Sequence, residues 1–355
     1  MNYRVVSYEQ QTVNVTSGDY GQVLTVPATF TDKGMEWRVV GVEAGALIAN
    51  TELSAILWNA EAVFNGSVSN PNLLLYVKSA EYAPTDIQNI IIDGMAENIV
   101  LTDAANSNNF HCPKAFTAKN IVYEHHYGMM TGYKTCQGWE TLVLPFGVTR
   151  ILRQSSTELV PYEAWAVGIS QRPFWLYSLT EVGWKAETTI AANTPYIISM
   201  PNNENYNPIY NVSGNIQFVG SNVQVKVSDN LNIGKKGSYK FIPNYQCQPA
   251  SNGIYALNVS NLWSQNTISE VEGSVFVSNL RPVHPFEAYM TYEGTAAAPL
   301  LIPVFGDNEE TGIRDVLLRK TTSHASWYTL DGRKLQGHPT QKGLYIINGQ
   351  KVVIR

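Results

Sequence analysis

Carboxylates are the residues of this chain most able to do chemistry, and they are scattered along it. Two carboxyl groups on neighbouring strands could hydrolyse a glycosidic bond, with one as general acid and the other as nucleophile or base. Glu140, Glu163, Glu181 and Glu287 are candidates, and the sequence alone does not pair them. The densest acidic cluster, at residues 307–310, has ligands that suit calcium but lacks the spacing of an EF-hand loop.

Histidines and cysteines give no recognisable metal or nucleophile motif. His125 and His126 are adjacent on a predicted strand, so their side chains point to opposite faces and are poorly placed to hold one ion. Cys112, Cys136 and Cys247 lack C-x-x-C spacing, and one disulfide with a free thiol or three free thiols both remain open. Since a G-x-S-x-G elbow and glycine-rich phosphate loops are also absent, we predict no enzyme, no metal site and no cofactor.

Four aromatic residues are the candidate contacts to a glycan or another partner: Trp184, Trp175, Tyr177 and Trp165. Aromatic rings stack on the apolar faces of sugars and can hydrogen-bond hydroxyls at their polar edges. Strand alternation places Trp175 and Tyr177 on one face, although their apolar surroundings leave core packing as the alternative. Trp184 lies in a polar turn, so it is the one most expected to be exposed.

Composition predicts a mainly β protein with more than one domain. The 355 residues are 44% hydrophobic but only 15% charged, and they include 20 tyrosines and 8 tryptophans, which suits β-structure. The net charge of −5 without a basic run argues against nucleic acid as a partner. No apolar stretch is long enough for a transmembrane helix.

The N-terminal region, residues 1–105, combines short strands with a repeat-like pattern. Apolar segments at Ile56, Leu73 and Ile90 are spaced by about one solenoid turn of roughly 20 residues. The segment 43–58 resembles one unit of the BspA-like leucine-rich repeats, with Leu47 where the family usually has Phe. The resemblance implies a short, degenerate repeat whose sheet face would meet a partner.

The middle region, residues 106–305, has predicted strands every 8–14 residues, separated by Gly, Asn and Pro, which is typical of a β-sandwich. Its landmarks include Gly138–Phe146, Pro173–Tyr177 and Ala192–Pro201. These resemble a domain that often follows leucine-rich repeats in Bacteroides and Prevotella surface proteins. That resemblance implies membership of this family, but it does not indicate a biochemical activity.

A polar linker at 306–316 precedes a C-terminal module at 317–355. Two hairpins are predicted there, because Asp331-Gly332 and Asn348-Gly349 suit type I′ turns, with Gly343 at the turn between them. The module resembles the C-terminal sorting domains of secreted Bacteroidetes proteins. The motif residues that carry the resemblance are Asp331, Gly332, Arg333, Gly343 and Tyr345.

The resemblances imply a non-catalytic surface protein that mediates adhesion or binds a host or matrix protein. The tail implies an extracellular or outer-membrane location, and we expect a leader peptide that is missing from this sequence. The alternative is a carbohydrate-binding protein of a glycan-uptake system, which requires exposed coplanar aromatic rings. A glycoside hydrolase is a third hypothesis, and it requires two carboxylates facing each other in a groove.

Overall fold

The computed structural model describes residues 1–103, 108–128, 138–153, 157–166, 168–202, 212, 214–259, 272–295, 297–305, 327–329, 335, 343–347 and 350–354. The fold is mainly β, as predicted, with two one-turn 3-10 helices among the described residues. No helix in those ranges is long and apolar enough to cross a membrane. Two compact units are present, Met1–Val304 and Phe305–Arg355.

The strands and 3-10 helices are β1 (Tyr3–Ser7), β2 (Thr12–Val15), β3 (Val23–Val26), β4 (Thr29–Asp32), β5 (Met35–Val42), β6 (Ala55–Trp58), β7 (Leu74–Val77), η1 (Ala80–Tyr82), β8 (Ile90–Ile92), β9 (Met95–Thr102), β10 (Phe116–Tyr127), β11 (Glu140–Leu142), β12 (Arg150–Arg153), β13 (Thr157–Pro161), η2 (Tyr162–Ala164), β14 (Arg172–Thr180), β15 (Gly183–Ala186), β16 (Tyr196–Ser199), β17 (Gly214–Val225), β18 (Gly234–Lys236), β19 (Tyr239–Pro243), β20 (Tyr255–Leu257), β21 (Val275–Ser278), β22 (Ala288–Tyr292), β23 (Leu301–Pro303), β24 (Trp327–Thr329), β25 (Gly343–Ile347) and β26 (Gln350–Ile354).

A 13-stranded mixed sheet runs through most of the first unit, in the order β11-β16-β14-β13-β12-β17-β10-β9-β8-β7-β6-β3, with β15 paired to β14. The predicted boundary at 105/106 falls between β9 and β10, which pair in parallel within this sheet. The segments on either side of that boundary therefore belong to one compact unit.

At its N-terminal end this sheet is a parallel ladder of β3, β6, β7 and β8. Buried asparagines connect the turns before β7 and β8 to strand β9. The Asn72 side chain bonds the backbone N–H and C=O of Thr102, and the Asn89 side chain bonds those of Val100. Because these amides satisfy both a donor and an acceptor of the buried backbone, they fix the offset between successive turns.

Two smaller sheets complete the first unit. A four-stranded sheet, β1-β2-β5-β4, packs its valines with the ladder residues into one hydrophobic core. A six-stranded sheet, β18-β19-β22-β20-β21-β23, meets the 13-stranded sheet near β11. There the amide of Ala288 donates to the Thr141 hydroxyl at 3.0 Å, and the amide of Val143 donates to the Phe286 carbonyl at 2.9 Å.

The second unit contains a three-stranded antiparallel sheet in the order β24-β25-β26. The C-terminal pairing is confirmed, since Ile347 pairs with Gln350. The assignment of Gly343 to a turn is wrong, because Gly343 opens β25 and pairs with Ile354 while Tyr345 pairs with Val352 and Thr329. The linker 306–316 and the residues Asp331, Gly332 and Arg333 lie outside the described residues.

Gly273 provides a test of how closely two loops of the first unit approach each other. Its φ is +66°, and a Cβ there would overlap the backbone of Gly138 and Trp139. We expect Gly273→Ala to lower the free energy of unfolding by about 3 kcal/mol or more, because backbone strain and steric overlap add. Chemical denaturation would measure the change.

Gly253→Ala is the matched control for this substitution. Gly253 has a φ of +90° and nothing within 4 Å of an added Cβ, so only the cost of a left-handed backbone applies, about 1–2 kcal/mol. Equal losses in the two variants would contradict the close approach.

Candidate functional site

The titratable cluster of the first unit lies where three strands of its core meet. Strand β10 alternates its side chains, so Tyr123 and Tyr127 are buried against the core and His125 lies between them on the same face. Asp103 follows the end of β9, which pairs with β10, and Glu140 opens β11. The sequence thus brings two acids to one histidine from three separate segments.

Both imidazole nitrogens of His125 are hydrogen-bonded to carboxylates. Nδ1 is 2.5 Å from Oδ2 of Asp103, and Nε2 is 2.7 Å from Oε2 of Glu140. The Tyr123 hydroxyl donates to the same Asp103 oxygen at 2.9 Å. The side chains of His125 and Glu140 are only 12% and 4% exposed, so this Asp103–His125–Glu140 network is largely sealed from water.

The charges of the network follow from its surroundings. Burial alone would lower the pKa of His125, but the two carboxylates overcome it and raise that pKa to about 10. Burial would raise the pKa of Asp103, yet the hydrogen bond and charge of His125 keep it below its usual value. Burial raises the pKa of Tyr123 and Tyr127 well above the usual value. At neutral pH the network is therefore an imidazolium between carboxylates, next to two neutral phenols.

An imidazolium that donates from both nitrogens has no lone pair for a proton or a metal ion. His125 in this state cannot be a general base or a metal ligand. Within the described ranges, no group of three or more His, Cys, Asp or Glu side chains is placed to hold a metal ion. The arrangement instead ties β9, β10 and β11 together through charge-assisted hydrogen bonds.

A second buried ion pair stands on the segment that leads into β22. Arg281 makes a bidentate contact with Glu287 at 2.7 and 2.8 Å, and the guanidinium Nε donates to the Leu257 carbonyl. The amide of His284 donates to Glu287, and burial lowers the pKa of the His284 imidazole. Arg281 also keeps the pKa of Glu287 low against the effect of burial.

The four carboxylate candidates have different surroundings in the fold. Glu140 is bonded to His125 and Glu287 to Arg281, whereas Glu163 and Glu181 are exposed in separate loops. The sequence did not reveal the partner of Glu140 because His125 lies 15 residues away along the chain. The prediction that the side chains of His125 and His126 point to opposite faces is confirmed. His126 is exposed, and its Nδ1 lies 2.7 Å from Oδ1 of Asn215.

The aromatic candidates do not form an exposed row. Trp175 and Tyr177 are 5% and 6% exposed, which corrects their prediction as partner contacts. They are buried because both faces of β14 are covered, and Trp139 packs edge-on against Tyr177. Trp184 is half-buried rather than exposed, since its ring packs against Phe241 and its N–H donates to the Val304 carbonyl.

Trp165 is the remaining aromatic candidate, and it is also half-buried. It stacks on Tyr162, with ring centroids 6.1 Å apart and an angle of 24° between the ring planes. Both rings belong to the loop that contains η2, next to the exposed residues Glu163 and Ala164.

The described cysteines are not paired. Cys112 is a buried thiol close to the Tyr76 hydroxyl, and burial raises its pKa to about 11, so it is unreactive at neutral pH. Cys247 is free and exposed. Cys136 lies outside the described residues.

The opposite face of the central strands is partly exposed to solvent. We call it the open sheet face and define it by residues that are half-buried or exposed and aligned in register on β9, β10, β17 and β12. They are Val100, Thr102, Val122, Glu124, His126, Asn215, Gln217, Val219, Arg150 and Leu152.

The open sheet face has an apolar row beside a polar network. Val100, Val122 and Val219 are directly opposite one another across three strands. In the next row, Glu124 accepts hydrogen bonds from Gln217 at 2.8 Å and from Asn215 at 2.9 Å. These mutual contacts hold the polar side chains in one arrangement before any ligand arrives.

Comparisons of this chain with models of known protein families, with curated proteins and with solved structures found no match.

The Asp103–His125–Glu140 network gives a pH-dependent prediction. We expect His125→Gln to lower the free energy of unfolding by about 3–5 kcal/mol near pH 7, because it leaves two carboxylates buried without their cation. The folded pKa of about 10 lies above the ordinary value of 6.5, so the contribution of His125 is complete below pH 6.5. It is lost as the pH rises towards 10.

The measurement is the difference in unfolding free energy between wild type and His125→Gln from pH 6.5 to 10. It should shrink as the pH rises. His126→Gln, on the exposed face of the same strand, should stay within about 0.5 kcal/mol of wild type. A difference that is constant over this range would contradict a protonated His125.

Proposed function

We propose that this chain is a non-catalytic, extracytoplasmic surface protein that binds a host or matrix protein through the open sheet face. The observation that carries the proposal is the row of three valines, Val100, Val122 and Val219, framed by oriented polar side chains. An apolar centre with a polar rim is the usual composition of a protein-binding surface.

Rigidity supports this surface as a binding site. Strands β10 and β17 are each 12 residues long and pair over most of their length. Their inner face is anchored in the core, where Ile121, Tyr123 and Phe218 are buried. Side chains on such strands are held more firmly than side chains on loops, so less entropy is lost when a partner binds.

The sequence resemblances supply the rest of the proposal. The parallel ladder of β3, β6, β7 and β8 supports a degenerate BspA-like repeat, because solenoid repeats also stack parallel strands at regular spacing. The tail supports a location outside the cell through its similarity to the sorting domains of Bacteroidetes.

The satisfied state of the buried charges supports a binding role over hydrolysis. Glu140 and Asp103 both bond His125, and Glu287 bonds Arg281. A glycosidase needs one carboxyl group that can protonate the leaving oxygen and another that faces the sugar. Carboxylates already engaged by buried cations suit neither role.

Carbohydrate binding is the second candidate, and the stacked pair of Tyr162 and Trp165 favours it. Two nearly parallel rings in a loop with exposed neighbours could receive the apolar face of a sugar. The pair is distant in sequence from the strands of the open sheet face, so substitutions can separate the two hypotheses.

The test is a binding screen of the whole chain against matrix proteins and glycans, followed by variants. We expect saturable binding to a protein that Val122→Lys weakens by tenfold or more, because a charge in the middle of the valine row must be desolvated. Val182→Lys introduces the same charge between β14 and β15, at a residue that is 91% exposed. This variant should bind the partner as tightly as wild type does.

Three results would contradict the proposal. They are binding that Val122→Lys leaves intact, equal loss in both lysine variants, and release of sugar products from a glycan. Binding to a glycan that Trp165→Ala abolishes would establish the second candidate instead.

A further inference from the structure

The edges of the sheets differ in how well they are protected against pairing with another chain. An edge strand presents unpaired N–H and C=O groups, and proteins usually block it with lysine, proline, short length or a covering segment. Edge strand β18 carries Lys235 and Lys236, β23 ends in Pro303, and β4 carries the exposed Asp32.

Strand β1, an edge of the four-stranded sheet, carries neither lysine nor proline. It is five residues long, pairs only with β2, and exposes Val5 and Val6, at 36% and 56%. Tyr8, just beyond the strand, is 74% exposed. The one charge in β1, Arg4, is held at 2.8 Å by Glu43 of the same chain.

The hydrogen-bond pattern shows which backbone groups of β1 face outwards. Thr16 donates to the Asn2 carbonyl, and the register continues with Arg4 opposite Asn14 and Val5 opposite Val13. In an antiparallel pair, alternate residues direct their backbone groups to the partner strand. Asn2 and Arg4 therefore face β2, while the N–H and C=O of Tyr3 and Val5 face away from it.

We propose that β1 is a self-association edge, where a second copy of this chain adds its own β1 in antiparallel orientation. Centred on Val5, the pairing puts Val5 against Val5 of the second copy, and the two residues exchange both hydrogen bonds. Arg4 then faces Val6 of the second copy, so the two arginines are not opposed. The contact is self-complementary, as a two-fold symmetric dimer requires.

The apolar side chains favour a second copy as the occupant. Val5 and Tyr3 share the face of Val13 and Val15, which are buried in the hydrophobic core, and Tyr3 stacks on Phe30 at 4.1 Å. Pairing at β1 would extend this face across two molecules and cover the exposed valines. This inference is independent of the open sheet face and of its ligand.

The test compares the mass of the whole chain in solution as a function of concentration with that of three variants. Val5→Pro removes an outward N–H without removing a β1–β2 hydrogen bond, and Val5→Lys adds the charge that other edges carry. Val182→Lys puts the same charge on a residue that is 91% exposed and lies outside this sheet, between β14 and β15. We expect a concentration-dependent dimer for wild type and Val182→Lys, and monomers for both Val5 variants.

Hydrogen exchange provides a second measurement that does not depend on a variant. Exchange in a peptide covering residues 1–8 should slow as wild-type concentration rises, while a peptide from β17, in another sheet, should not change. A wild-type chain that stays monomeric up to millimolar concentration would overturn the proposal. A dimer that persists in both Val5 variants, or one that Val182→Lys also disrupts, would do the same.

Discussion

The buried imidazolium of His125, held between Asp103 and Glu140, is the interaction on which the centre of this structure depends. Each carboxylate comes from a different segment, and each would be costly to bury alone. The cation makes their burial possible, and in doing so it fixes the end of β9 and the start of β11 against β10. The junction between the ladder and the rest of the sheet is therefore set by charge as well as by apolar packing.

This constraint divides the two faces of β10 into different roles. The inner face carries the ionisable side chains of His125, Tyr123 and Tyr127. Both nitrogens of His125 are hydrogen-bonded to carboxylates, and the two phenols are neutral. The outer face carries weaker groups that solvent can reach. A binding function of the open sheet face is consistent with a stabilising role for the Asp103–His125–Glu140 network. The network holds in place the strands that form this face.

The sequence predicted the type of secondary structure better than it predicted which side chains meet in the fold. Short β-branched runs and turn residues predicted a mainly β chain, and the 17-residue spacing of Ile56, Leu73 and Ile90 marked β6, β7 and β8 of the parallel ladder. These signals are local, so they can be found without knowing the fold. The predicted hairpin at the C-terminus rests on the same kind of signal, and the pairing of Ile347 with Gln350 bears it out.

Burial and ion pairing could not be predicted in the same way. Trp175 was a candidate contact because strand alternation cannot tell an inner face from an outer one when β14 is covered on both sides. The sequence does not identify the acidic partners of His125, since they lie 22 and 15 residues away and only the sheet brings them together. A histidine in an alternating apolar strand, between two tyrosines, was the one available hint that it points inwards.

The two surfaces proposed for binding differ in what they offer a partner. On the open sheet face the backbone of β10 is paired on both sides, with β9 and β17, so only side chains are available and recognition must depend on their identity. On β1 the backbone itself is open, so an added strand would be held mainly by hydrogen bonds that any sequence can make. Self-pairing makes that contact specific, because a second copy supplies Val5 and Tyr3 in the register that the first copy requires. The two surfaces lie on different strands of different sheets, and a dimer formed at β1 would carry two copies of the valine row. Two binding sites joined in this way would hold a repetitive surface more tightly than one.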